Sequence, residues 1–259
     1  CGACHVFSGT SRIFGGSPAL RGQLPWQVRL RTGPYMGGGA LLSDGWVLTA
    51  AHVVEARSAL PRIVAGVTNL RDLSPGERQE LEAEKVVLHP EYRRQELGRP
   101  NYAHDVALVK LKKKAELGPT VAPLCLPGPG EAGAPPVGTL GLIAGWGRTE
   151  NLPTRSADLL WAQIPVVDME LCRRADYGGQ VPVFTQSMLC AGQPGTDSCQ
   201  GDSGGAYVFR GQGGRCVARG IVSFGPQQCG SYGVYTQLGA YADWLREVMA
   251  EDGQWADEE

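Results

Sequence analysis

The chain has 259 residues, with 24 Lys and Arg against 26 Asp and Glu, and 42% of its residues are hydrophobic. That length suffices for one large core or two smaller ones, and a formal charge of −2 gives no electrostatic draw toward nucleic acid or an anionic membrane surface. No uninterrupted apolar stretch approaches the roughly 20 residues that a membrane-spanning helix needs.

Residues 1–12 read as a lead-in segment that holds Cys1 and Cys4 and ends in Arg12. It lacks the basic and apolar stretches of a secretory leader, so any leader is expected to have been removed already. Short β-type runs then follow: Trp26–Leu30, Trp46–Thr49, Val86–Leu88, Val106–Val109, Leu142–Ala144 and Gly220–Ser223. Gly and Pro, 37 and 18 in number, fall between such runs and mark turns, which predicts an all-β chain of antiparallel strands in barrels or sandwiches. The stretch Gly128–Gly138 has linker composition and divides the chain nearly in half. Near the end, Tyr241, Trp244, Leu245 and Val248 repeat at helical spacing, ahead of an acidic tail from Glu251 to Glu259. Eight cysteines suit a secreted disulfide protein, and none of the three asparagines begins an Asn-x-Ser/Thr acceptor. Cys1-Gly2-Ala3-Cys4 also has redox or zinc spacing, but no second pair matches it.

Three motifs carry chemistry when taken together: Leu48-Thr49-Ala50-Ala51-His52, His104-Asp105-Val106-Ala107-Leu108 and Gly201-Asp202-Ser203-Gly204-Gly205. A serine hydroxyl is a weak nucleophile until a base removes its proton, and a neutral imidazole suits that task near pH 7. A buried carboxylate fixes the imidazole tautomer and stabilises the imidazolium. Glycines beside the serine leave amide N–H groups open toward a developing oxyanion.

With these motifs in that order, the chain from Ile13 to about Met249 resembles the chymotrypsin-like (trypsin-type) serine proteases. The resemblance implies two six-stranded antiparallel β-barrels with a cleft between them, a C-terminal helix, and an N-terminal barrel over 13–127 with a C-terminal one over 128–259. It assigns His52 as base and then acid, Asp105 as its orienter, Ser203 as nucleophile, and the N–H groups of Gly201 and Ser203 as the oxyanion hole. Asp197 would form the floor of the primary specificity pocket, with Ser198 beside it. A carboxylate there selects Arg or Lys. Gly225 and Gly233 would form the pocket wall, and Ser223, Phe224 and Gly225 the strand that meets the substrate backbone. Cleavage after Arg12 would free the Ile13 amine to pair with Asp202.

The same resemblance implies disulfides Cys172–Cys190, Cys199–Cys229 and Cys1–Cys125, leaving Cys4 with Cys216. The family's histidine-loop bridge is absent, its positions being taken here by Gly38 and Val53. Val67 stands where calcium-binding members carry glutamate, so no metal and no cofactor is expected. These departures, the Cys-Gly start and the stretches Val183–Gly192 and Ser223–Pro226 are similar to the complement initiators, namely the r and s proteases of the first component and the mannan-binding-lectin-associated proteases. The chain would then be the catalytic part of a secreted mosaic plasma protein, with upstream modules, protein substrates and plasma protease inhibitors as partners. The alternatives are a catalytically silent binding module of the same fold, and a coagulation or digestive enzyme. The Lys112-Lys113-Lys114 run reads as solvated surface.

Overall fold

The computed structural model describes residues 1, 4, 16–55, 59–73, 78–96, 98–128, 130–148, 155–195, 202–226 and 231–252. In chain order the strands are β1 (Ser17–Pro18), β2 (Gln27–Thr32), β3 (Tyr35–Leu41), β4 (Trp46–Thr49), β5 (Arg62–Ala65), β6 (Gln79–Leu88), β7 (Gln95–Glu96), β8 (Arg99–Pro100), β9 (Ala107–Leu111), β10 (Leu140–Gly145), β11 (Leu160–Val167), β12 (Met188–Gly192), β13 (Ala206–Arg210), β14 (Cys216–Phe224) and β15 (Tyr232–Gln237). The helices are α1 (Ala51–Val54), α2 (Met169–Arg173) and α3 (Ala242–Glu251).

Strands β2, β3, β4, β9, β6 and β5 pair in that order and close into the first barrel. The second runs β11-β10-β13-β14-β15-β12 and closes through β11–β12, with β1 added outside on β11. Every pairing between these strands is antiparallel, so short turns suffice to join neighbours. All four residues of β4 are buried, as befits an apolar run covered on both faces. The first half of β6 instead alternates, with Glu80, Glu82 and Glu84 outward and Leu81 and Ala83 inward. That strand starts well before the Val86–Leu88 run that announces it.

Chain ends cross between the barrels. β1 pairs with the second barrel at Ser17↔Trp161. Returning the other way, α3 lies by the first barrel, with Asp252 meeting Lys85 at 2.9 Å. Leu245 and Met249 form the deepest side of α3, while Trp244 and Val248 pack partly buried against the same core. Tyr241 stands just before this helix and not within it. The linker-like stretch is strapped down, because Gln237 Nε2 donates to the Ala132 carbonyl at 2.6 Å and Arg219 to that of Gly133 at 2.7 Å. Disulfides join Cys1 to Cys125, Cys4 to Cys216 and Cys172 to Cys190. The lead-in is thereby tied to the second barrel, since Cys216 opens β14 and Cys125 bridges to Val217. The expected partners Cys199 and Cys229, like Arg12, Ile13, and residues 253–259 of the acidic tail, lie outside the described residues.

Candidate active site

His52 is placed by the end of β4, where the chain turns directly into α1. Asp105 is placed by a tight loop before β9, in which the Asn101 side chain accepts the Ala103 N–H at 2.8 Å. Register between β4 and β9, with Thr49 opposite Ala107, brings the two loops to the same end of the barrel. There His52 Nδ1 lies 2.7 Å from Asp105 Oδ2, and the His52 backbone N–H donates to Oδ1 at 2.9 Å. Two bonds from one residue fix both the distance and the orientation of the ring.

The second barrel completes the grip on Asp105. Ser223 Oγ donates to Oδ2 at 2.6 Å, and Thr236 Oγ1 donates to the Asp105 carbonyl at 3.0 Å. Asp105 is fully buried, whereas the His52 side chain keeps 17% of its surface exposed. Burial opposes charging of both groups. For Asp105 the neighbouring His52 charge and the hydrogen bonds from His52 and Ser223 prevail, holding its pKa below the usual carboxylate range. For His52 burial is likewise outweighed, by the charge and hydrogen bond of Asp105, and its pKa is raised. Glu55 adds to that rise; its carboxylate also takes an ion pair from Arg94 and a hydrogen bond from Tyr92.

Ser203 sits on the turn that leads into β13, and the turn is wedged against β3 and β4. Its carbonyl accepts the Gly38 N–H at 2.9 Å, Gly204 N–H donates to Val222 and Gly205 N–H to Asp202, each at 2.9 Å. Gly204 has a positive φ of 86°, and a side chain there would strike Thr49 Oγ1. A methyl group at Gly37 would lie 2.6 Å from the Ser203 carbonyl and 2.8 Å from Val53 Cγ1. Gly37 is therefore bordered both by the Ser203 turn and by Val53, the residue that follows His52. This contact corrects the histidine-loop assignment: Gly37 faces Val53, while Gly38, pointing the other way along the strand, faces Gly205.

Asp202 is lodged between Gly145 and Gly147 and accepts the Gly147 N–H at 2.8 Å. Gly225 and Gly233 lie side by side where β14 and β15 run together, a methyl at Gly225 coming to 3.8 Å from Gly233 Cα. Asp197, Ser198 and Gly201 lie outside the described residues. Phe224 stacks on Tyr102 at 4.9 Å, and Tyr102 meets the His52 ring edge-on at 5.7 Å. Phe184 and Tyr177 extend this aromatic shelf. Sequence reading missed Tyr102, Thr236 and the use of the Ser223 hydroxyl, because each acts through contacts between distant stretches of chain.

Two closed barrels, a buried imidazole–carboxylate pair and a glycine-flanked serine on a turn held against the first barrel fit a serine endopeptidase of trypsin type. Residues 13–245 match the family described as Trypsin, and the chain belongs to that family. Among curated proteins it is 42% identical over 255 residues to the complement C1s subcomponent of Sus scrofa, covering 95% of this chain and 36% of that protein. It is 41% identical to the calcium-dependent serine proteinase of Mesocricetus auratus, over 93% of this chain and 35% of that one. Identity to the complement C1r-B subcomponent of Mus musculus is 36%, again over 93% and 35%. The chain thus spans about a third of the length of these relatives. Among solved structures, mouse neuropsin, a serine protease expressed in the limbic system of the brain, matches with a TM-score of 0.74. That match has 32% identity and covers 91% of this chain and 98% of the other.

Proposed function

We propose that this chain is the catalytic part of a secreted complement-type protease that cuts protein substrates after Arg or Lys, once cleaved itself between Arg12 and Ile13. The observation that carries the reading is the paired hydrogen bonding of His52 to buried Asp105, 2.7 and 2.9 Å, beside the clamped Ser203 turn. His52 takes the Ser203 proton as the oxygen attacks the scissile carbonyl. The tetrahedral oxyanion is held by the N–H groups of Gly201 and Ser203, each such donor contributing about 3–4 kcal/mol. His52 then hands its proton to the departing amine, and a water activated by the same imidazole releases the acyl group from Ser203. Asp105 stays ionised throughout and stabilises the imidazolium.

Asp197 and Ser198 supply the basic-residue preference, and the neighbouring Gly225 and Gly233, which carry no side chains, form the wall past which a long side chain enters. Activation works through Asp202. Lodged between Gly145 and Gly147, its carboxylate is the acceptor for the new Ile13 amine, whose pairing orders the adjacent oxyanion hole. Secretion and a complement cascade are supported by the identities to C1s and C1r chains. Among the described residues no helix is long and apolar enough to cross a membrane. Plasma protease inhibitors and the upstream modules of the longer protein are the partners this reading implies.

Arginyl, lysyl and aromatic peptide substrates, compared before and after nicking at Arg12, test the reading. It predicts turnover of the first two only, and only after nicking. Preference for the aromatic substrate, or a rate indifferent to nicking, contradicts it. Complement proteins against clotting zymogens as substrates then separate the cascades.

A further inference from the structure

On the far side of the Asp105 loop lie two imidazoles and a carboxylate that the catalytic chemistry does not use. His89 follows β6, Glu91 stands two residues later on an exposed turn, and His104 directly precedes Asp105. The two rings stack at 5.0 Å, with Trp244 and Tyr241 edge-on to His89 at 4.8 and 5.2 Å. One ligating atom from each of His89, Glu91 and His104 lies within 4.8 Å of the others. Zinc bonds of about 2.0–2.2 Å would set neighbouring donors roughly 3.3–3.5 Å apart in a tetrahedron, so the donors must close by up to about 1.5 Å, together with a turn of one ring.

We propose that His89, Glu91 and His104 form a three-ligand site for a divalent ion of the zinc class, with solvent in the fourth position. Two imidazoles and one carboxylate favour zinc, copper or nickel over the oxygen-seeking calcium and magnesium. The Tyr241 hydroxyl, 3.1 Å from His104 Nδ1, is placed to accept a ring N–H and leave Nε2 to the ion, as metal-bound imidazoles commonly require. The His89 ring must turn out of its parallel stack, since a bound ion lies in the plane of each imidazole. The backbone around it holds while it does so, through Tyr92 N–H to the His89 carbonyl at 3.0 Å and His89 N–H to the Val106 carbonyl at 3.1 Å.

Occupancy reaches the triad through the chain itself. His104 has a φ of 57°, positive as in no other described residue except glycines, and Asp105 is its next neighbour. An ion that draws His104 toward His89 therefore moves the loop that places Asp105 and slows hydrolysis. This consequence rests on the proposed role of Asp105, whereas ion binding does not.

Calorimetric titration of zinc chloride into the whole chain, beside Glu91→Gln and His89→Asn, tests the site. The expected result is one ion per chain, bound at least about tenfold more weakly by Glu91→Gln and more weakly still by His89→Asn. Should His89→Asn not fold, the exposed Glu91→Gln decides. Absence of saturable binding, or an affinity in both variants unchanged from the wild type, overturns the proposal, the second result locating the ion elsewhere, for example on His52. Zinc is further expected to inhibit arginyl-peptide hydrolysis by the wild type and to spare both variants, whose ion-free rates match it. Normal binding without inhibition leaves the site standing and removes its coupling to Asp105.

Discussion

Asp105 and Asp252 both link the two halves of the chain, under opposite conditions. Asp105 belongs to the first barrel, is fully buried, and takes hydrogen bonds from His52 on its own side and from Ser223 and Thr236 on the other. Asp252 ends α3 and reaches back to Lys85 at 2.9 Å and Lys110 at 3.5 Å. Its pKa is lowered, the Lys85 hydrogen bond first among the causes, but the contact lies at the solvent boundary. Attraction there is screened by water and salt, and such pairs contribute little. Around Asp105 no solvent can replace a lost partner, so each donor matters more and errors of placement are costly. Burial, more than the presence of an ion pair, separates Asp105, the aspartate proposed to orient His52, from an ordinary surface one.

Substitutions graded along that contrast test it. Asp105→Asn keeps the shape but no longer favours the imidazole tautomer with its proton on Nδ1, and should lower kcat about 10⁴-fold near neutral pH. A loss below tenfold would place the orienting carboxylate elsewhere. Ser223→Ala removes one of several donors to the same carboxylate. A single hydrogen bond to a charged group corresponds to about 1.5 kcal/mol, so kcat/KM should fall about tenfold, with the acid limb of the pH profile moving to higher pH. Asp252→Asn is expected to change neither kcat/KM nor, beyond experimental error, the melting temperature.

The pH dependence separates stability from activity at the same pair. His52 has a raised folded pKa, so its stabilising contribution is full below the unfolded value of about 6.5 and disappears as pH climbs through the folded one. Asp105 has a lowered folded pKa, so its contribution is full above about 3.9 and disappears as pH falls through the folded value. The pair therefore stabilises most on the acid side of neutrality, between these limits. Hydrolysis requires the neutral imidazole and should instead rise with pH through the folded pKa of His52. Melting temperature and kcat/KM, followed from pH 4 to 8, are expected to trend in opposite directions above about pH 6.5.

The catalytic motifs were legible because each is local: a histidine closing a strand, an aspartate opening one, a serine among glycines. The aliphatic strands announced themselves by composition for the same reason. Strand β3 did not, since Met36-Gly37-Gly38-Gly39 reads as a turn. Its glycines are explained only by neighbours from elsewhere, including Ser203 and Val53 at Gly37 and Leu30 Cδ1, 2.7 Å from a methyl at Gly39. The early part of β6 was hidden by charge, its alternation being carried by glutamates, which are poor strand formers. Ser223 and Thr236 lie 118 and 131 residues from Asp105, so nothing in local spacing could assign their hydroxyls to it.

The most direct measurement is mass-spectrometric mapping of an organophosphonate adduct on the chain nicked at Arg12, alongside a His52→Ala variant. One adduct per chain, on Ser203, forming at a rate that follows deprotonation of His52 and nearly vanishing in the variant, is the predicted result. Modification at another residue, or equal labelling without the imidazole, would contradict the account.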